Sequence, residues 1–330
     1  MSIEEQVQPA DSAATTDLPD EDIVRHRPLW FRQALATPYE DRWLTVDGVP
    51  IHYLRWGDRD PAKPGVLFVH GNGAHAHWFS FIAPLLLNDM NVAAIDLGGM
   101  GDSHWRESPT RDSFAREIGE VALDAGLGPR PVICGHSFGG FVTLMAANHY
   151  ADKLGGIMLA DFRVRPAHDA LEWFKDQPPR RATRIYPDFE TAVARFRLAP
   201  PQSCQNQFIV DYIGGLSLRE VRKGENPGRF PSEEAGWTWK FNPFIFDGLA
   251  MGPDHADIYR DMPCKGACFF GLESKDYARD QIEFLRELAP ERPAFAIAGA
   301  QHHIMLDQPH AFAAAVAGLM AQWRADGALG

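Results

Sequence analysis

Two hydrophobic rhythms alternate along the chain from Trp43 onward. Six short, wholly apolar runs, "GVLFVH", "NVAAID", "PVIC", "GGIMLAD", "GACFFG" and "PAFAIAG", lack a polar side and are too short for helices. They suit strands buried on both faces. "WLTVDGVPIHYLRWG" reads as two further strands joined at Asp47-Gly48, a pair that favours a tight hairpin turn. Helical patterns separate the runs, as in "SFAREIGEVALDAG" from Ser113. In the last segment, "PHAFAAAVAGLMAQW", Pro309 occupies the first turn, and Phe312, Val316, Leu319, Met320 and Trp323 share one face. This order predicts an α/β fold: an eight-stranded, mostly parallel sheet with helices on both faces and the initial hairpin as an antiparallel edge.

The rhythm stops between Phe162 and Asp261, where prolines, arginines and aromatics crowd together. An insertion there sits above the C-terminal edge of the sheet, where ligands of open α/β folds bind. It is expected to form a helical cap over 162–261, on a core made of 24–161 and 262–330. Most of its aromatics should form the cap's own core, with Trp237, Trp239 and Phe241 the candidates to face a substrate. Lys240, between two of them, could meet an acidic group or pack on the rings.

Composition narrows the function classes. The 330 residues are 45% hydrophobic and 23% charged, with a net charge of −12, which disfavours a nucleic acid or an anionic membrane as partner. No apolar run is long enough to span a bilayer. Residues 1–23 are acidic and rich in small side chains, with no basic stretch leading into an apolar one, so a mobile tail and a cytoplasmic protein are expected. Cys134, Cys204, Cys264 and Cys268 read as reduced thiols. His70, His75 and His77 lie close together without an interleaved acid, so no metal site and no cofactor are expected. The oligomeric state is not legible.

The chemistry centres on "PVICGHSFGGFVTL", where an apolar strand breaks into Gly135-His136-Ser137-Phe138-Gly139 and becomes helical. A serine at such a junction is exposed on a strained turn, with the free N–H groups of a helix N-terminus behind it. A serine hydroxyl needs a base, and "AIAGAQHHIMLDQP" offers His302 and His303 after the last strand. An orienting acid could be Asp161, which ends an apolar run, or Asp276, which sits among charges in "GLESKDYARD". A buried unpaired carboxylate is costly, and a histidine partner would relieve Asp161; it is preferred, and Asp276 is retained.

Together, the Ser137 motif, "FVHGNGAHAHWF" and "GAQHHIMLDQP", in this order, resemble the α/β-hydrolase superfamily from about Trp43 to Trp323, cap excluded. The resemblance implies His302 as the base, and backbone N–H groups of Asn72 and Phe138 as the oxyanion site. It also implies an acid at Gly-x-x-Asp after the seventh strand, where this chain has Ser274. Asp96 matches a structural position. Serine in place of aspartate argues against haloalkane dehalogenases and epoxide hydrolases, which resemble this fold. The expectation is a serine hydrolase acting on a carboxylic ester or lactone of a small to medium apolar molecule. The alternatives are hydrolysis of a carbon–carbon bond in a diketone-like ring-cleavage product, or a ligand receptor built on the same fold.

Overall fold

The computed structural model describes residues 27–165, 182–225, 232–247, 249–275 and 278–330; the expected tail over 1–23 lies outside them. The opening hairpin pairs β1 (Tyr39–Val46) with β2 (Val49–Trp56). Its two turn residues, Asp47 and Gly48, both have positive φ (49° and 77°), the combination a two-residue turn needs to match strand twist. The parallel strands β3 (Gly65–Val69), β4 (Asn91–Ile95), β5 (Val132–His136) and β6 (Gly156–Ala160) follow. After an insertion that carries β7 (Leu218–Val221) and β8 (Gly236–Trp239), the sheet resumes with β9 (Lys265–Gly271) and β10 (Ala294–Ile297). Eight strands line up as β1-β2-β4-β3-β5-β6-β9-β10. The hairpin joins antiparallel to β4, and every other neighbouring pair is parallel.

Wholly apolar strands need a hydrophobic layer on each side, and the side chains divide accordingly. Leu67, Val69, Ile133, Ile157 and Phe270 point into the layer formed with the helices Arg111–Asp124 and Phe138–Tyr150. Val66, Phe68, Val132, Met158 and Phe269 point into the other, covered by the helix Pro309–Ala325. That last helix buries the predicted stripe of Phe312, Val316, Leu319, Met320 and Trp323. Each large side chain removed from water this way contributes about 1.5–3 kcal/mol. The helix Arg111–Asp124 begins at Arg111 rather than Ser113 because Thr110 and Ser113 form a reciprocal capping box, each side chain accepting from the other's amide.

Residues between β6 and β9 are not purely helical. The described part holds the helices Phe189–Val193 and Gln207–Leu216 together with the antiparallel ribbon β7–β8. Tryptophan and β-branched residues at Trp237, Thr238 and Trp239 favour the extended chain there. The ribbon docks on the turn after β4: Asn242 donates its amide to Gly99 (2.7 Å), and Lys240 is ion-paired with Asp102 (2.7 Å). Lys240 is therefore neutralised by the core rather than packed for a ligand. No helix among the described residues is long and apolar enough to cross a membrane, and the four cysteines are unpaired.

Asp96, at the end of β4, ties three segments together. Its carboxylate accepts from His52 Nδ1 (2.7 Å), the Ala76 amide (2.5 Å) and the Asp102 amide (2.8 Å). Burial works against charge on His52, but hydrogen bonds to Asp41 and Asp96 outweigh it and raise the imidazole to about 10. A histidine raised in this way adds stability that is complete below its unfolded value near 6.5 and lost as the pH climbs through 10. Wild-type unfolding free energy should therefore fall across that window, with this group adding a slope of at most about 1.4 kcal/mol per pH unit. Urea titrations at several pH values should show a shallower slope in His52→Gln; identical slopes in the two proteins would refute the assignment.

Candidate active site

Ser137 stands at the joint between β5 and the helix Phe138–Tyr150, with φ 54° and ψ −119°. An L-residue there is strained by about 1–3 kcal/mol. The surroundings hold it: its amide donates to Ala160 (3.0 Å), and its carbonyl accepts from Gly140 (2.8 Å). The joint is tight enough to require glycine. A Cβ on Gly139 would lie 2.4 Å from the carbonyl oxygens of Val69 and His70. The local sequence thus forces the serine outward at the end of the sheet where the loops converge.

His302 arrives on the loop after β10. A second glycine permits its approach: a Cβ on Gly271 would meet the Gln301 carbonyl at 2.1 Å, so only glycine lets the loop run against the end of β9. Two further bonds hold the loop, one from the Gln301 amide to Asp307 (2.8 Å) and one from His136 Nε2 to the His302 carbonyl (2.8 Å). His302 Nε2 lies 3.0 Å from Ser137 Oγ, and its Nδ1 lies 2.6 Å from Asp161 Oδ2. With Nδ1–H donating to the carboxylate, Nε2 is left with a lone pair facing the hydroxyl.

Asp161 directly follows β6, is 1% exposed, and has a positive φ of 47° that turns its side chain back under the histidine. Its carboxylate also accepts from the Gly271 amide (3.2 Å) and from Ser274 Oγ (2.6 Å). Ser274, at the position where the resemblance places an acid, thus supports the carboxylate supplied by the neighbouring strand. Asp276 lies outside the described residues.

The amides of Phe138 and Asn72 have no hydrogen-bond partner among the described residues. Phe138 is the first residue of its helix, where an amide has no intrahelical acceptor, and Asn72 lies in the turn after β3. The adjacent imidazoles of His136 and His303 add no charge. Burial lowers His303 to about 3 and drives His136 well below the usual imidazole range, with nearby imidazoles acting in the same direction. His70, His75 and His77 disperse to Gly71 and Leu97, to Ile213 and Ser217, and to Ser80. They do not converge on a common point. His136, His302 and His303 do cluster, with one ring nitrogen of each within 4.8 Å of the others.

A cavity of about 300 Å³ opens over Ser137 and His302. Asn72 and Trp78 line it from the core, and Phe196, Trp239 and Phe241 from the insertion. Trp237, expected beside Trp239 and Phe241, does not line it; its ring packs edge-on against Phe189 at 5.1 Å. Trp237 shares a strand face with Trp239 but sits two residues back, about 6.6 Å farther along. Face parity alone could not register that distance. Sequence reasoning also missed Arg195, Phe196 and Arg197 in the lining, because that stretch has no periodicity to read.

Comparison with known proteins agrees with this architecture. Residues 66–315 match the profile of the alpha/beta hydrolase family. Esterase Rv0045c of Mycobacterium tuberculosis is 25% identical over 83% of this chain and 88% of its own. A haloalkane dehalogenase of Sphingobium indicum is 25% identical over 88% and 98%. The crystal structure of the same mycobacterial esterase superposes with a TM-score of 0.65 at 20% identity, covering 93% of this chain and 99% of that one. That of E-2-(acetamidomethylene)succinate hydrolase does so at 0.67 and 19%, covering 86% and 100%. A profile that spans most of the sheet, together with this strand order and the serine at the end of β5, makes the chain a member of the alpha/beta hydrolase family.

Proposed function

We propose that this protein is a serine hydrolase that cleaves a carboxylic ester or lactone of a small to medium molecule with an apolar portion. His302 Nε2 takes the proton of Ser137 Oγ as the oxygen bonds to the acyl carbon, and Asp161 holds the imidazole in the required tautomer. The amides of Phe138 and Asn72 stabilise the oxyanion. His302 then returns the proton to the leaving alcohol, and a water activated by the same nitrogen cleaves the acyl-enzyme. The insertion acts as a cap whose aromatic wall, Trp239 and Phe241, receives the apolar part of the substrate.

The observation that carries this reading is the unbroken relay from Asp161 to His302 (2.6 Å) to Ser137 (3.0 Å) at the floor of a cavity. Similarity to a named esterase supports it. Similarity to a dehalogenase does not compete on chemical grounds. A serine oxygen that displaces halide from an alkyl carbon forms an ether, which water does not cleave, whereas an acyl ester turns over. Wild-type protein should hydrolyse p-nitrophenyl butyrate and become labelled at Ser137 by a fluorophosphonate probe. Absence of both turnover and labelling, in protein shown to be folded by circular dichroism, would overturn the reading in favour of a binder.

A further inference from the structure

The charge inventory of the cavity runs against that of the chain. The protein has 44 acidic and 32 basic residues, yet among the described residues no carboxylate lines the space over Ser137, while Arg195 and Arg197 both do. Two other cations of the insertion are neutralised, Lys240 by Asp102 and Arg219 by Glu225. Arg195 and Arg197 are exposed and have no ion-pair partner among the described residues. They flank Phe196, whose ring lies close against Gly214, where an added Cβ would meet it at 3.0 Å. The ring thus anchors the segment. Arg197 Nη1 donates to the carbonyls of Ala194 (3.0 Å) and Phe196 (2.5 Å), which fixes the guanidinium and leaves Nε and Nη2 unused.

The geometry points to an anion subsite: Arg195 and Arg197 receive a carboxylate or phosphate borne by the substrate, at the end away from the scissile ester. This rests on the ester-hydrolase reading and narrows its substrate class to half-esters and related anionic acyl compounds. A planar guanidinium offers paired donors that match either oxyanion, and two of them on one short segment select a charge that the protein's overall −12 would otherwise repel. The neutral part of the same substrate occupies the wall of Trp78, Trp239 and Phe241.

Two measurements test it. In the first, wild-type kcat/KM for monomethyl glutarate should exceed that for methyl pentanoate by about tenfold, with the advantage shrinking at high salt. Arg195→Gln with Arg197→Gln should bring monomethyl glutarate down to the level of methyl pentanoate, through KM. A preference for the neutral ester, or a preference that survives both substitutions, overturns the subsite while leaving the hydrolase reading intact. In the second, monomethyl glutarate is titrated calorimetrically into the non-hydrolysing Ser137→Ala protein, which reads binding without turnover. Binding lost on adding the two arginine substitutions supports the subsite, and binding unaffected by them, or no binding, refutes it. Replacing the half-ester by methyl 4-(phosphonooxy)butanoate in the kinetic arm, which keeps the methyl ester and the three-methylene spacer, separates a phosphate from a carboxylate as the preferred anion.

Discussion

Ser137→Ala is expected to lower kcat for p-nitrophenyl butyrate by about 10⁴-fold or more, because the oxygen that bonds to the acyl carbon is gone. Any residual rate comes from the amides and the cavity alone. Labelling by the fluorophosphonate should vanish with it. The fold should persist, since alanine inherits the same positive φ (54°) and meets the same walls. Glycine at this position should be equally inactive but more stable than alanine, by about 1 kcal/mol, because glycine occupies that backbone region without strain. The pair separates chemistry from architecture: kcat should be the same for both, while the melting midpoint should be higher for glycine. An alanine variant that keeps more than about a hundredth of the activity would place the reaction elsewhere.

The sequence reveals the scaffold because buried parallel strands must be apolar throughout, and such runs are visible one by one. The parallel character of the sheet was implied by their alternation with helices, and the hairpin edge by Asp47-Gly48, whereas the strand order was not legible. Ser137 was visible for a related reason, since the strand, glycines and helix around it are all local. Other parts of the candidate site depend on where distant loops meet. Asp161 against Asp276 could not be decided by spacing, because the backbone turn at Asp161 that aims its carboxylate is set by β9 and by Ser274. Arg195 and Arg197 sit in irregular chain, and only the folded position of the insertion brings them to the cavity over Ser137. Trp237 shows the reverse failure, a correct strand face with the wrong distance along it.

Asp161→Asn should cost about 10³–10⁴-fold in kcat at neutral pH, with little change in fold. Asparagine is the mildest replacement, because it accepts a positive φ at least as readily as aspartate. Its effect follows from the donors already present. The Gly271 amide bonds Oδ1 of Asp161, so the asparagine oxygen stays on that side and its NH₂ takes the place of Oδ2. That NH₂ then donates to His302 Nδ1, the proton moves to Nε2, and the base presents N–H to Ser137 where it needs a lone pair. Ser274→Ala, which removes the 2.6 Å donor to Oδ2, should cost no more than about tenfold. Asp276→Asn should stay within about twofold of wild type, since in the proposed relay both imidazole nitrogens are already engaged. The reverse outcome, with Asp276→Asn inactive and Asp161→Asn active, would transfer the acid to the loop after β9 and reduce Asp161 to a brace for Ser274.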